Sequence, residues 1–182
     1  MTAVITAVPT GTWTVDPAHS AVNFQVKHMG IASVRGTFND FQGTLVIGED
    51  GSARAEGTVD VGSVDTNEPQ RDAHLRSPDF FDAERHPRLA FVSTAITPEG
   101  DGEFTIAGEL TMHGSTRPVT LTAEVQGADT DPWGNERVAL EVTGQINRGD
   151  WDMRFNQVLG SGNMLVSDRV KLALDISAIR QS

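Results

Sequence analysis

The sequence predicts an all-β chain: an antiparallel sheet of about eight strands, curled on itself and closed by one short helix. Three observations carry that expectation. Apolar and polar residues alternate along most of the 182 positions, as in Val22, Phe24 and Val26 against Asn23, Gln25 and Lys27. Turn-forming clusters of Gly, Asp, Asn and Pro recur at near-regular spacing. One interval alone, residues 67–76, lacks the two-residue period. Each strand therefore has one face that seeks a dry interior and one that seeks water. A closed barrel leaves no exposed edge; a two-sheet sandwich satisfies the same periodicity.

Residues 1–11 read as a flexible lead-in ending at Pro9 and Gly11, and residues 12–182 as a single domain. Trp13 to Val15 forms a first strand and Ser20 to His28 a second. Val34–Phe38 and Phe41–Ile47 follow, linked through Asn39-Asp40, and Glu49-Asp50-Gly51-Ser52 is a hairpin turn feeding a strand over Ala53 to Val61. The interval 67–76 reads as a helix, with Asn67 as its cap and Pro69 in the first turn. Leu75, Phe80 and Phe81 are too apolar for an exposed loop, which places this segment over one end of the sheet as a lid. Strands resume at Leu89 to Ala95, Phe104 to Leu110, Val119 to Val125, Val138 to Ile146 and Val170 to Ile176. Between the last two lies a polar, glycine-dotted stretch from Arg148 to Asn163 that contains Trp151 and Phe155.

Composition narrows the function. The net charge of −11 lacks the basic stripe that nucleic acid requires. The absence of cysteine excludes disulfides, thiolate nucleophiles and cysteine-ligated metal. No apolar run approaches the roughly 20 residues of a spanning helix, and the first residues lack a basic leader, so a cytoplasmic chain without a transmembrane segment is expected. Val46, Val92 and Ile96 stand at outward positions and point to a homodimer surface.

The interior is the candidate site. Val22, Phe24, Val26, Phe38, Phe41, Leu45, Phe91, Phe104, Ile106, Leu110, Leu121, Leu140 and Val142 share the inward parity. Small residues at Gly36, Gly43, Ala55, Gly57, Ser93, Gly108, Ala123 and Gly144 are interspersed with them. Either the small residues leave a tunnel for a long apolar chain, or they only let the strands coil while the lumen packs solid.

Trp13-x-Val15-Asp16-x-x-His19-Ser20, Val22-x-Phe24-x-Val26-x-His28-x-Gly30 and Val34-x-Gly36-x-Phe38 together resemble the opening of the YceI-like family. The resemblance continues through Asp72-x-His74-Leu75-x-Ser77-x-Asp79-Phe80-Phe81-Asp82 and Gly108-x-Leu110-Thr111-x-His113-Gly114-x-Thr116-x-Pro118-Val119 to Asn147-Arg148. It implies an extended, eight-stranded lipocalin-like barrel that binds polyisoprenoid or similar amphiphilic chains. Many relatives carry an export signal, and none is expected from the first residues here. The pattern after Asn147-Arg148 also departs, with Gly149-Asp150-Trp151-Asp152 shifted by one residue.

Other chemistry has weaker footing. His19, His28, His74, His86 and His113 show no short metal-ligand spacing, so no metal or cofactor is expected. No nucleophile elbow occurs, and Asp16, His19 and Ser20 suit turn capping better than a triad. No catalytic residue is assigned. His28, His113 and Arg148 are the candidates for contact with a lipid headgroup. The expectation is a non-enzymatic protein that binds, sequesters or transports a long-chain isoprenoid, such as a quinone tail or prenyl pyrophosphate. An isomerase or hydrolase acting on a hydrophobic substrate in the same pocket is the competing reading. A ligand-free structural or stress-related barrel is the third.

Overall fold

A computed structural model of the protein describes residues 7–182. Its strands are β1 (Gly11–Val15), β2 (Ala21–His28), β3 (Ala32–Phe38), β4 (Phe41–Ile47), β5 (Ala53–Asp60) and β6 (Val64–Asp65). After helix α1 (Pro69–Arg76) come β7 (Arg88–Gly100), β8 (Glu103–Met112), β9 (Ser115–Thr130), β10 (Glu136–Asn147) and β11 (Val166–Arg180).

The sheet runs β1-β4-β5-β7-β8-β9-β10-β11 and closes on itself where β11 meets β1 through Val15↔Ala178. This is an eight-stranded antiparallel barrel, not a sandwich. Closure depends on the length of β11, whose first half pairs with β2 and whose last residues pair with β1. Strands β1 and β2 thus share one place in the wall, interrupted by a corner at Pro17–His19. Asp16 turns that corner: its carboxylate accepts from the Ala18 N–H at 3.1 Å, and Pro17 supplies a fixed φ. The β2–β3 hairpin, with β6 beside it, continues the wall past the corner.

The helix begins one residue later than Asn67 capping requires. Asn67 is left-handed (φ 66°), and Glu68 is the cap, its carboxylate accepting from the Arg71 N–H at 2.8 Å. Asn67 is spent on the preceding turn, its N–H donating to the Asp65 carboxylate. The connection from β9 to β10 is short, because β9 runs to Thr130 and the turn closes by a bond from Asp131 N–H to Asn135 C=O.

The lead-in is docked as far as it is described. Val8 is only 1% exposed, and the Trp13 indole N–H donates to the Pro9 carbonyl at 2.9 Å. The first six residues of the expected lead-in lie outside the described ones. Val8, Trp13 and Val138 are among the most completely buried side chains and fill the barrel end at which β1 joins β11. Among the described residues, no helix is long and apolar enough to cross a membrane.

Candidate functional site

The lumen is hollow. A cavity of about 310 Å³ runs inside the barrel, from Arg148, Met153 and Val166 near one end to Val15, Leu140 and Ala178 near the other. All thirteen residues read as inward-facing from strand parity line it. So do Leu75, Phe80 and Phe81 of the lid segment, and Val170, Leu172, Leu174 and Ile176 of β11. Glu56 and Arg148 are the ionisable residues among the lining groups described. Glu56 alternates with Ala55 and Gly57 and so takes an outward position on β5; it borders the cavity where Gly43 of β4 faces Gly57 without side chains between them.

The small residues act in two ways. Gly36 lies beneath the Phe24 ring, Gly108 beneath Phe91 and Gly144 against Leu121, where a methyl group would come within 2.6 Å of each neighbour. These three glycines are seats for large inward side chains, not empty space. Gly43, Ala55 and Gly57 do border the cavity. Ala123 of β9 borders it as well.

The lid end is held by aromatic rings and one buried cation. His74 of α1 stands edge-on to Phe80 and Phe155 at 5.0 and 4.9 Å, and Phe80 meets Phe155 at 5.3 Å. Phe81 packs on Phe38, which packs on Phe24, so the lid is continuous with the lumen wall. A carboxylate of Asp79 lies 2.8 Å from His74 Nε2 and fixes the ring. Under α1, Asp72 is buried and accepts from both the N–H and hydroxyl of Thr66.

Of the three candidate headgroup contacts, Arg148 alone lines the cavity. It is 3% exposed, and its guanidinium donates to the carbonyls of Ser167 (3.0 Å), Met153 (2.8 Å), Phe155 (2.8 Å) and Val166 (3.4 Å). Burial lowers its pKa and the Asp168 carboxylate 3.6 Å away opposes that shift; an arginine stays charged through both. Arg148 thereby ties the segment after β10 to the start of β11, and most of its donors are committed to that task. Its nearest carboxylate partner is Asp168, while Asp152 pairs with Arg154. His28 is exposed at the end of β2, outside the cavity lining. His113 also stands outside the lining, its Nδ1–H donating to the Trp151 carbonyl at 2.9 Å.

The polar stretch after β10 conceals a plug that sequence pattern did not assign. Arg148–Trp151 is a short 3-10 turn, with Asn147 accepting from the Gly149 N–H. It drives Trp151 to 1% exposure, its indole N–H bonded to the Leu110 carbonyl, and seats Met153 against the cavity. Two aromatics inside an otherwise polar run were the available signal.

The opposite end is pinned from outside by charge. Arg137 donates to Asp16 at 2.9 Å and to Asp131 at 2.7 Å, while His19 Nδ1 meets Asp16 at 2.7 Å. The Asp16 pKa is lowered, chiefly by Arg137 and then by His19. Burial raises that of Asp131, but bonds from Arg137, Asn135 and the Trp133 N–H outweigh it and leave it well below the ordinary carboxylate value.

A small closed β-barrel enclosing an apolar lumen is the architecture of single-ligand binding barrels. The chain belongs to the YceI-like domain family, whose model matches residues 13–178. It is 38% identical over 165 residues to Protein YceI of Escherichia coli O157:H7, covering 90% of this chain and 83% of that one. Among solved structures it is similar to Burkholderia cenocepacia BcnA (TM-score 0.76, 24% identity, 90% of this chain and 98% of that one). It is similar too to a polyisoprenoid binding domain from Saccharophagus degradans (TM-score 0.70, 15% identity, 93% and 98%). At those identities the two structures speak for the fold.

Proposed function

We propose that the protein binds and carries the long apolar chain of an isoprenoid lipid, such as a quinone tail or prenyl pyrophosphate, in the barrel lumen. The observation that carries this is the 310 Å³ cavity with its almost wholly apolar lining. Each methylene moved from water into it contributes about 0.8 kcal/mol, with no directional bond required. The polyisoprenoid-binding neighbour of the same fold supports the same class of ligand. The thirteen lining residues predicted from parity grip the chain, and its polar head lies toward Arg148 at the lid end. The reading is of binding without turnover: among the described lining residues the ionisable ones are Arg148, which is spent on backbone carbonyls, and Glu56, which takes an outward position on β5.

Organic extraction of purified protein followed by mass spectrometry tests it, with recovery of a prenyl lipid expected. Phe24→Asp or Phe91→Asp should abolish uptake of a fluorescent prenyl probe while the circular dichroism of the barrel is retained. Undiminished uptake in both variants would remove the lumen as the site.

A further inference from the structure

Among the described residues, six large apolar side chains stand clearly exposed, and four of them, Met29, Ile31, Val158 and Met164, share one place. Met29 and Ile31 form the tip of the β2–β3 hairpin. Val158 and Met164 pair across a second hairpin between β10 and β11. The tips are joined: Met29 N–H donates to the Leu165 carbonyl at 2.9 Å, and the Asn163 amide donates to the Met29 carbonyl at 3.3 Å. Ile31 is 76% exposed and Val158 65%, a clustering that scattered surface residues do not show.

The charge around this patch is opposite to that of the molecule. Residues 17–39 and 155–167 contain none of the chain's 25 acidic residues. The outward positions of β2, β3 and the adjoining β11 carry Lys27, Arg35 and Lys171, which include both lysines of the chain. Asp168, which follows the second acid-free run, lies beside the buried Arg148, and Asp65, opposite Thr37 of β3, accepts the Asn67 N–H. The patch also continues into the cavity: Val26 and Val166 line the lumen, three and two residues along the chain from Met29 and Met164. Phe155, at the base of the second hairpin, is part of the aromatic cluster that closes the lid.

We propose that these two tips are a docking surface for an anionic lipid bilayer, through which the lumen exchanges its cargo. The inference rests on the lipid-chain reading for its purpose. Apolar tips enter the interface while Lys27, Arg35 and Lys171 meet the headgroups, as in peripheral proteins that combine apolar anchors with a basic rim. Phe155, at the base of the second hairpin, gives docking a path to the lid.

Flotation of the full chain with phosphatidylcholine vesicles, with and without phosphatidylglycerol, tests the proposal. Binding to the anionic vesicles is expected, weakening as salt is raised. The double variants Ile31→Asp/Val158→Asp and Lys27→Glu/Arg35→Glu, all at exposed positions, should each weaken it by about tenfold or more. Trp133→Ala, which removes the exposed tryptophan of the β9–β10 turn at the other end, should leave it unchanged. Absence of binding by the natural chain would overturn the proposal, as would tip variants that bind undiminished. A dimer that Ile31→Asp dissociates, without vesicle binding, would overturn it in favour of a second copy as the occupant. Extraction of the same preparations separates the two readings. Cargo present without docking refutes the surface alone; docking by an empty, uptake-deficient protein upholds the surface and refutes the lumen.

Discussion

The two ends of the barrel are closed by different physics. At the β1 end, Val8, Trp13 and Val138 fill the interior and the Asp16–Arg137–Asp131 cluster clamps the outside. At the lid end the cavity reaches Arg148 and Met153, and closure falls to stacked rings, the buried Trp151 and one arginine bonded to backbone carbonyls. A solid end provides stability that a hollow one cannot.

That contrast makes substitutions unequal. Trp13→Ala should open a void in close-packed structure and cost about 3–5 kcal/mol. Phe41→Ala, beside space that is already empty, should cost only about 1–2 kcal/mol, because little new void is created. Chemical denaturation of the two variants measures the gap; equal losses would mean that the lumen is packed throughout. Arg148→Met should cost about 2–4 kcal/mol by stranding buried carbonyls, with a fall in Tm of about 5–15 °C. Gly108→Ala should cost about 1–3 kcal/mol, since its Cβ meets both the Phe91 ring and the Val92 carbonyl.

The smallest expected effect concerns acid. Asp16 and Asp131 have lowered pKa values in the folded state, so their contribution is fully present above the unfolded carboxylate value of about 4. It is lost as pH falls through the lower folded values. Arg137→Gln should therefore lower Tm at neutral pH, and the difference from the natural chain should vanish in strong acid. A difference that persists there would mean that Arg137 acts by packing.

Strand parity disclosed the lumen wall because alternation is a direct consequence of the pleat, and it needs no knowledge of pairing. Closure was beyond it: Val15 meets Ala178 across almost the whole chain, and nothing local distinguishes that from a sandwich. Parity also did not tell a glycine that makes room, such as Gly57, from one that seats a ring, such as Gly36, since that depends on the neighbouring strand. Arg148 is a related case. Its residue type marks it as a headgroup candidate, whereas the 3-10 turn sends its guanidinium inward to carbonyls of a segment that has no periodicity.

Titration of a fluorescent prenyl probe into the natural chain and into Ala55→Trp tests most directly that the open half of the barrel holds the ligand. Ala55 borders the cavity from β5, and an indole there would occupy it. The account predicts saturable uptake by the natural chain and uptake at least about tenfold weaker in Ala55→Trp, with both proteins folded. Equal uptake by the two would contradict it.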